Sequence, residues 1–199
     1  AGERIAAVGR LDGAQAKLEI DATDKIVCPG FVDCHSHSDL TILVNRQAIS
    51  SLYQGVTTEI AGQCGLTFAP VSESSRTAMQ GLVSATSPGI AVTWTAFGQF
   101  LERLAEGMAI NMAVQVGHGA VRRAVMGMAD RPPTEDELRE MERLVAESLE
   151  AGAIGLSFGL EYMPGRVAGA EELRRLSAVA AGRRKLTAWH VRNRDRHFV

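Results

Sequence analysis

The sequence predicts an α/β protein: a TIM-like (β/α)₈ barrel, incomplete over these residues, with part of a small β-domain ahead of it. Three observations predict it. Short, continuously apolar strands alternate with helices after Pro29-Gly30, the pattern of a parallel sheet buried on both faces. Each strand ends in chemically capable residues: His35 and His37, Cys64, His118, Glu161 and Tyr162, and His190. Barrels build their active sites from the C-terminal ends of several strands. A doubly wound nucleotide fold is the other architecture that fits, but no Gly-x-Gly-x-x-Gly turn follows the first strand.

Residues 3–9 and 17–28 read as short strands separated by turn chemistry at Asp12-Gly13, and residues 1–28 are assigned to the β-domain. Residues 29–199 are assigned to the barrel. Its first strand is 31–35, followed by a helix over roughly 44–54. The second strand is 55–62. Helices over roughly 72–84 and 96–106 follow, then a third strand over 111–117. Thr134-Glu-Asp-Glu137 is a capping box after Pro132-Pro133. Leu138, Met141, Leu144, Val145 and Leu149 then hold helical spacing, and Gly152 ends the helix. A fourth strand at 153–158, a helix over 170–181 ending at Gly182 and a fifth strand at 186–191 complete the pass. Five strand–helix units leave about three wanting against a barrel of roughly 250 residues. From the opening without Met and the stop at Val199, where a helix begins to read, a fragment is expected.

Composition narrows the function classes. A net charge of −2 gives no electrostatic case for nucleic acid or an anionic membrane surface. No apolar run reaches the length of a membrane span, and residues 1–20 lack the apolar core of a signal peptide. Cys28, Cys34 and Cys64 are an odd set, so reduced thiols in a cytoplasmic protein are expected rather than a disulfide framework.

The chemistry starts with His35-Ser36-His37. Side chains two apart on a strand share a face, so these imidazoles project together and offer half of a metal site. Cys64, in Ala61-Gly-Gln-Cys-Gly65, can supply a thiolate, a strong zinc ligand. Taken alone it reads sooner as a small buried apolar residue. Cys34 faces away from the histidine pair. His190, at the end of the fifth strand, becomes a candidate ligand in the company of that pair. His118 closes the third strand and is a candidate to line the pocket. Arg192, whose guanidinium suits bidentate carboxylate binding, and Tyr162 are candidates to hold an anionic substrate.

Pro29-Gly-Phe-Val-Asp-Cys-His-Ser-His37 resembles the metal-binding signature of the amidohydrolase superfamily. Gly55-Val-Thr-Thr58, Gly62-Gln-Cys-Gly65, Val116-Gly-His-Gly119, Gly152-Ala-Ile-Gly-Leu-Ser-Phe-Gly-Leu-Glu-Tyr-Met-Pro-Gly165 and His190-Val-Arg-Asn193 resemble the N-acyl-D-amino-acid deacylases (D-aminoacylases) within it. The resemblance runs from residue 1 to about 194 and implies a barrel of the metal-dependent hydrolase type with a small β-sandwich domain made from both chain ends. It implies His35, His37, Cys64 and His190 as zinc ligands, with Cys64 in place of the carboxylated lysine of other relatives. Lys17, Lys25 and Lys185 are the lysines of this chain, and none stands at the end of the fourth strand, where the bridging lysine would be; Glu161 is the rival acidic bridge there. A further His and the catalytic acid/base Asp are expected beyond residue 199, so no catalytic group is assigned within the chain. Gln63 stands where Asn is usual, and Arg194 where Glu is expected.

The implied reaction is zinc-assisted hydrolysis of the amide of an N-acyl-D-amino acid, with that small molecule as partner. A cyclic-amide hydrolase of the hydantoinase or dihydroorotase kind is the alternative, with the missing lysine against it. An inactive half-barrel, exposing apolar edges and prone to associate, is the reading from a different class.

Overall fold

The computed structural model describes residues 4–194. Its strands are β1 (Phe31–Asp33), β2 (Val56–Ala61), β3 (Asn111–Val114), β4 (Val116–Gly117), β5 (Gly155–Gly159) and β6 (Leu186–His190). Its helices are α1 (Ile49–Leu52), α2 (Arg76–Thr86), α3 (Phe97–Ala105), α4 (His118–Met126), α5 (Glu135–Glu150) and α6 (Ala170–Gly182).

All strand pairs are parallel, in the orders β1-β2-β3 and β4-β5-β6. The two sheets are halves of one arc. β3 and β4 are a single strand interrupted at the buried Gln115. The Gln115 amide donates to the Ala61 carbonyl at 3.0 Å, and the Ile154 amide donates to the Val114 carbonyl at 3.0 Å. The expected strand over 111–117 thus changes partners midway, from β2 to β5. This is part of a TIM-type barrel wall with helices packed outside it.

The core lies between arc and helices. Phe68, Trp94, Phe97 and Phe100 pack edge-on or tilted, and the buried Trp94 ring donates its N–H to the Phe68 carbonyl at 2.7 Å. Met79, Met141, Val145, Leu156, Phe158 and Leu176 fill the rest. Each such side chain contributes about 2 kcal/mol of transfer free energy. The Thr134 capping box forms as read: the Glu137 amide donates to Thr134 Oγ1 at 3.2 Å and the Thr134 amide to Glu137 Oε2 at 2.7 Å.

Several expectations are corrected. No strand forms among described residues 4–28, whose Ile5, Val8, Leu18, Ile20, Ile26 and Val27 are exposed. The alternation there needs a partner strand, and none lies alongside among the described residues. β1 ends at Asp33, and its Phe31 and Val32, expected to be buried, are exposed on the open edge of the arc. The helix expected over 44–54 shrinks to α1, because Ala48 adopts a left-handed conformation (φ 44°) that interrupts it. α2 begins at Arg76 because Ser72–Ser75 closes on itself, the Ser72 amide donating to Ser75 Oγ at 3.0 Å. α4 was not foreseen; it starts directly at the end of β4. The helix start read near His197 lies outside the described residues.

Candidate metal centre

The C-terminal ends of β1, β2 and β6 bring the four predicted ligands towards one another, and three of them, His35, His37 and Cys64, form one close cluster that His190 meets through the Cys64 thiol. His35 and His37 sit on the turn after β1, with ring centroids 5.7 Å apart. Their ligating atoms and the Sγ of Cys64 lie within 4.8 Å of one another. Cys64 Sγ is 3.5 Å from His35 Nε2 and 3.3 Å from His190 Nδ1. Two ligands on a tetrahedral zinc, with Zn–N near 2.0–2.1 Å and Zn–S near 2.3 Å, stand about 3.6 Å apart. The donor spacing and the soft thiol therefore fit zinc.

Cys64 reaches this position through an unusual backbone. Its φ is 56°, in the left-handed region that a non-glycine residue occupies at a cost of roughly 1–2 kcal/mol. The Gly62–Gly65 loop crosses the strand ends in close contact with them. A Cβ at Gly62 would meet the Gln115 carbonyl oxygen at 2.1 Å, and one at Gly159 would meet the Cys64 carbonyl oxygen at 1.9 Å. The Gln63 side-chain Nε2 donates to the carbonyls of Cys34 at 3.0 Å and Ile60 at 3.3 Å. Ser157, fully buried on β5, donates to the Gly62 carbonyl at 2.5 Å and accepts from the Gly65 amide at 3.0 Å.

The protonation states suit a metal. Burial, then the neighbouring His35 and His190, push His37 below its ordinary pKa, so it is a neutral donor near pH 7. Burial pushes the Cys64 thiol up, and the Arg194 guanidinium draws it partly back. Burial, then Cys64 and Glu161, hold the Tyr162 phenol up, with Arg194 opposing. Tyr162 is therefore a hydrogen-bond donor.

His190 is held from its far side. Its Nε2 is 2.6 Å from Glu161 Oε2, the carboxylate–histidine arrangement that fixes a ligand's orientation. Tyr162 Oη lies 3.1 Å from the ring nitrogens, and an Arg194 nitrogen lies 2.8 Å from Nε2. Beside this cluster is a polar cleft of about 450 Å³ lined by Glu161, Arg166, Val167, Arg192 and Asn193. Arg192 lines it while donating to the Arg166 carbonyl and, at 3.0 Å, to the Ala168 carbonyl. A more apolar cleft between α3, α4 and α5 is lined by none of the four ligand candidates.

His118 takes a different place from the pocket wall expected for it. It is fully buried at the start of α4, with Nε2 2.7 Å from Glu172 Oε1, and Arg122 pairs with the other Glu172 oxygen. This buried triad ties α4 to α6. Burial pushes the Glu172 carboxyl up, but hydrogen bonds and charge from His118 and Arg122 outweigh it, leaving the carboxyl below its ordinary pKa. Cys28 and Cys34 are free and exposed.

Two acidic residues under the site were not singled out from the sequence. Glu59 is buried on β2 and accepts from Ser36 Oγ at 3.1 Å, Ser51 Oγ at 2.5 Å and the Ser38 hydroxyl. Asp39 is fully buried, and neither side-chain oxygen has a hydrogen-bond partner in good geometry. Burial pushes its pKa up to about 7, the nearby backbone amides of Gly62, Asp39 and Leu40 oppose the rise, and the Glu59 charge adds to it.

Residues 18–193 match the model of an amidohydrolase family. The chain belongs to that family. It is 42% identical over 96% of its length to an N-acyl-D-glutamate deacylase of Alcaligenes xylosoxydans xylosoxydans, covering 39% of that protein. It is 35% identical over its whole length to a D-aminoacylase of the same organism, covering 40% of it. Among solved structures it matches a D-aminoacylase studied for its binuclear metal centre, at 35% identity and TM-score 0.88, over 98% of this chain and 41% of that one. It also matches an N-acyl-D-glutamate deacylase from Bordetella bronchiseptica complexed with zinc and a phosphonate inhibitor, at 38% identity and TM-score 0.83, over 96% of this chain and 40% of that one. The chain thus spans about 40% of the length of these relatives.

Proposed function

We propose that this chain forms the metal-binding part of a zinc-dependent amidohydrolase that cleaves N-acyl-D-amino acids to a carboxylate and a free D-amino acid. The observation that carries the reading is the Cys64 thiol standing between His35 and His190 at the strand ends. His35, His37, Cys64 and His190 would hold the metal. When bound, zinc supplies Lewis-acid polarisation of the acyl carbonyl and lowers the pKa of a water to near 7.

The remaining residues of the chain bind and orient. Glu161 fixes the His190 ring. Tyr162 presents a donor beside His190, and Arg192 places its guanidinium along the polar cleft, where a substrate carboxylate would sit. The general acid/base, an Asp, is expected beyond residue 199. Residues 1–28 are proposed to belong to a small β-domain, whose missing strand partner accounts for the exposed apolar residues there. No helix among the described residues is long and apolar enough to cross a membrane, and a cytoplasmic location is proposed.

The test is turnover by the zinc-loaded full-length protein of N-acetyl-D-methionine and N-acetyl-D-glutamate beside a hydantoin. Hydrolysis of the linear N-acyl-D-amino acids is expected. Activity confined to the hydantoin overturns the proposal in favour of a cyclic-amide hydrolase.

A further inference from the structure

We infer that Ser157 is the positioning residue that holds Cys64 at the metal centre, an assignment that rests on the zinc reading above. Ser157 is the only side chain of β5 with a hydrogen-bonding group, and its hydroxyl is fully buried. It uses both its donor and its acceptor on one loop. The hydroxyl proton goes to the Gly62 carbonyl at 2.5 Å, and the oxygen receives the Gly65 amide at 3.0 Å. These two groups flank Gln63 and Cys64, so a single oxygen closes the loop at both ends.

The closure matters because Cys64 is left-handed at φ 56°. A non-glycine residue keeps such a conformation only where its surroundings over-determine it. Gly159 admits the loop by lacking a Cβ, but steric room does not fix a conformation; hydrogen bonds do, and beside those of the Gln63 side chain to the Cys34 and Ile60 carbonyls, the Ser157 pair is the one that spans Cys64 itself. Ser157 lies one full strand period before Gly159, where β5 ends, and Glu161, the partner of His190, follows two residues later. The end of one strand therefore carries both the group that closes the thiol loop and the far-side support of the imidazole. Ser157 touches neither metal nor substrate; it acts through Cys64.

The experiment is a cobalt(II) titration of the metal-free full-length protein, reading affinity and the near-ultraviolet thiolate-to-cobalt charge-transfer band. Circular dichroism monitors folding in parallel. Ser157→Ala is expected to stay folded, bind cobalt about 10–100-fold more weakly and show a weakened thiolate band. In a Cys64→Ser background the same change is expected to lower affinity by less than about twofold, because the group it positions is gone. The isosteric pair Ser157→Thr and Ser157→Val makes the same comparison if the alanine variant does not fold. The hydroxyl-bearing member should bind at least about tenfold tighter. Variants with or without the hydroxyl that share wild-type affinity and band overturn the inference, and so does an equal loss in the Cys64→Ser background. A wild-type protein without any thiolate band overturns the metal reading itself, and the assignment of Ser157 with it.

Discussion

The α-carbon of Gly159 and the carbonyl oxygen of Cys64 are so close that a Cβ on residue 159 would lie 1.9 Å from that oxygen. This contact seats the thiol-bearing loop against β5, and from it Cys64 Sγ comes within 3.3 Å of His190 Nδ1, 126 residues later. Two residues distant in sequence are thus joined through a glycine belonging to neither loop nor ligand set. Gly159→Ala must displace the loop by more than an ångström, while the barrel wall loses nothing. Zinc affinity is expected to fall at least about tenfold, with the circular dichroism spectrum preserved. Competition with a chromophoric chelator measures it, and unchanged affinity would refute the contact's role.

Metal binding should release a proton. Burial holds the Cys64 thiol up, whereas His37 is pushed down by burial and by His35 and His190. Near pH 7 the metal-free site therefore carries a thiol that must deprotonate and a His37 that is already neutral. Affinity should rise about tenfold per pH unit between roughly 6 and 8. Calorimetry in buffers of different ionisation heat counts the protons, and a count of zero would contradict this account.

Asp39 predicts an opposite trend in stability. Its folded pKa is about 7, above the ordinary value of about 3.9 expected unfolded. Between those values the folded protein keeps a proton that the unfolded chain has lost. The stability of the metal-free protein should then fall as pH rises from about 4 to 7, and level off above. Asp39→Asn should flatten that fall. Melting temperatures at pH 5 and 8 decide it: an equal gap in both proteins would rule Asp39 out as its source.

Glu172 carries a structural load away from the metal. It faces His118 and Arg122, both fully buried. Glu172→Ala leaves Arg122 as a buried charge without its carboxylate, a loss of about 3–5 kcal/mol. The shift in urea midpoint reports it, and a change below about 0.5 kcal/mol would show that the ion pair is dispensable.

What could be read from the sequence follows which signals are local. His35 and His37 stand out by spacing, Cys64 by its glycine flanks and α5 by the box at Thr134 and Glu137. The strands of the arc were legible as apolar runs, the pattern of parallel strands, yet only β4 and β5 are buried throughout, while Phe31, Val32, Leu186 and Trp189 lie exposed. α4 was not, since His118-Gly119 reads as a loop and the helix gains its stability from the Glu172 pairing, 54 residues away. Residues 4–28 alternate as strands do, yet alternation describes a face and supplies no partner. Asp39 and Glu59 were hidden because burial, not residue type, makes them unusual. Ser157 did leave a signal: a lone hydroxyl in the apolar run Leu156-Ser157-Phe158 has to find its hydrogen bonds inside the fold.

The central claim is that a cysteine of the Gly62–Gly65 loop ligates zinc together with the strand-end histidines. X-ray absorption at the zinc edge of the loaded full-length protein tests it most directly. One sulfur at about 2.3 Å with nitrogens at about 2.0–2.1 Å is the predicted shell, and the sulfur should vanish in Cys64→Ala. A wild-type shell of nitrogen and oxygen alone would contradict the account.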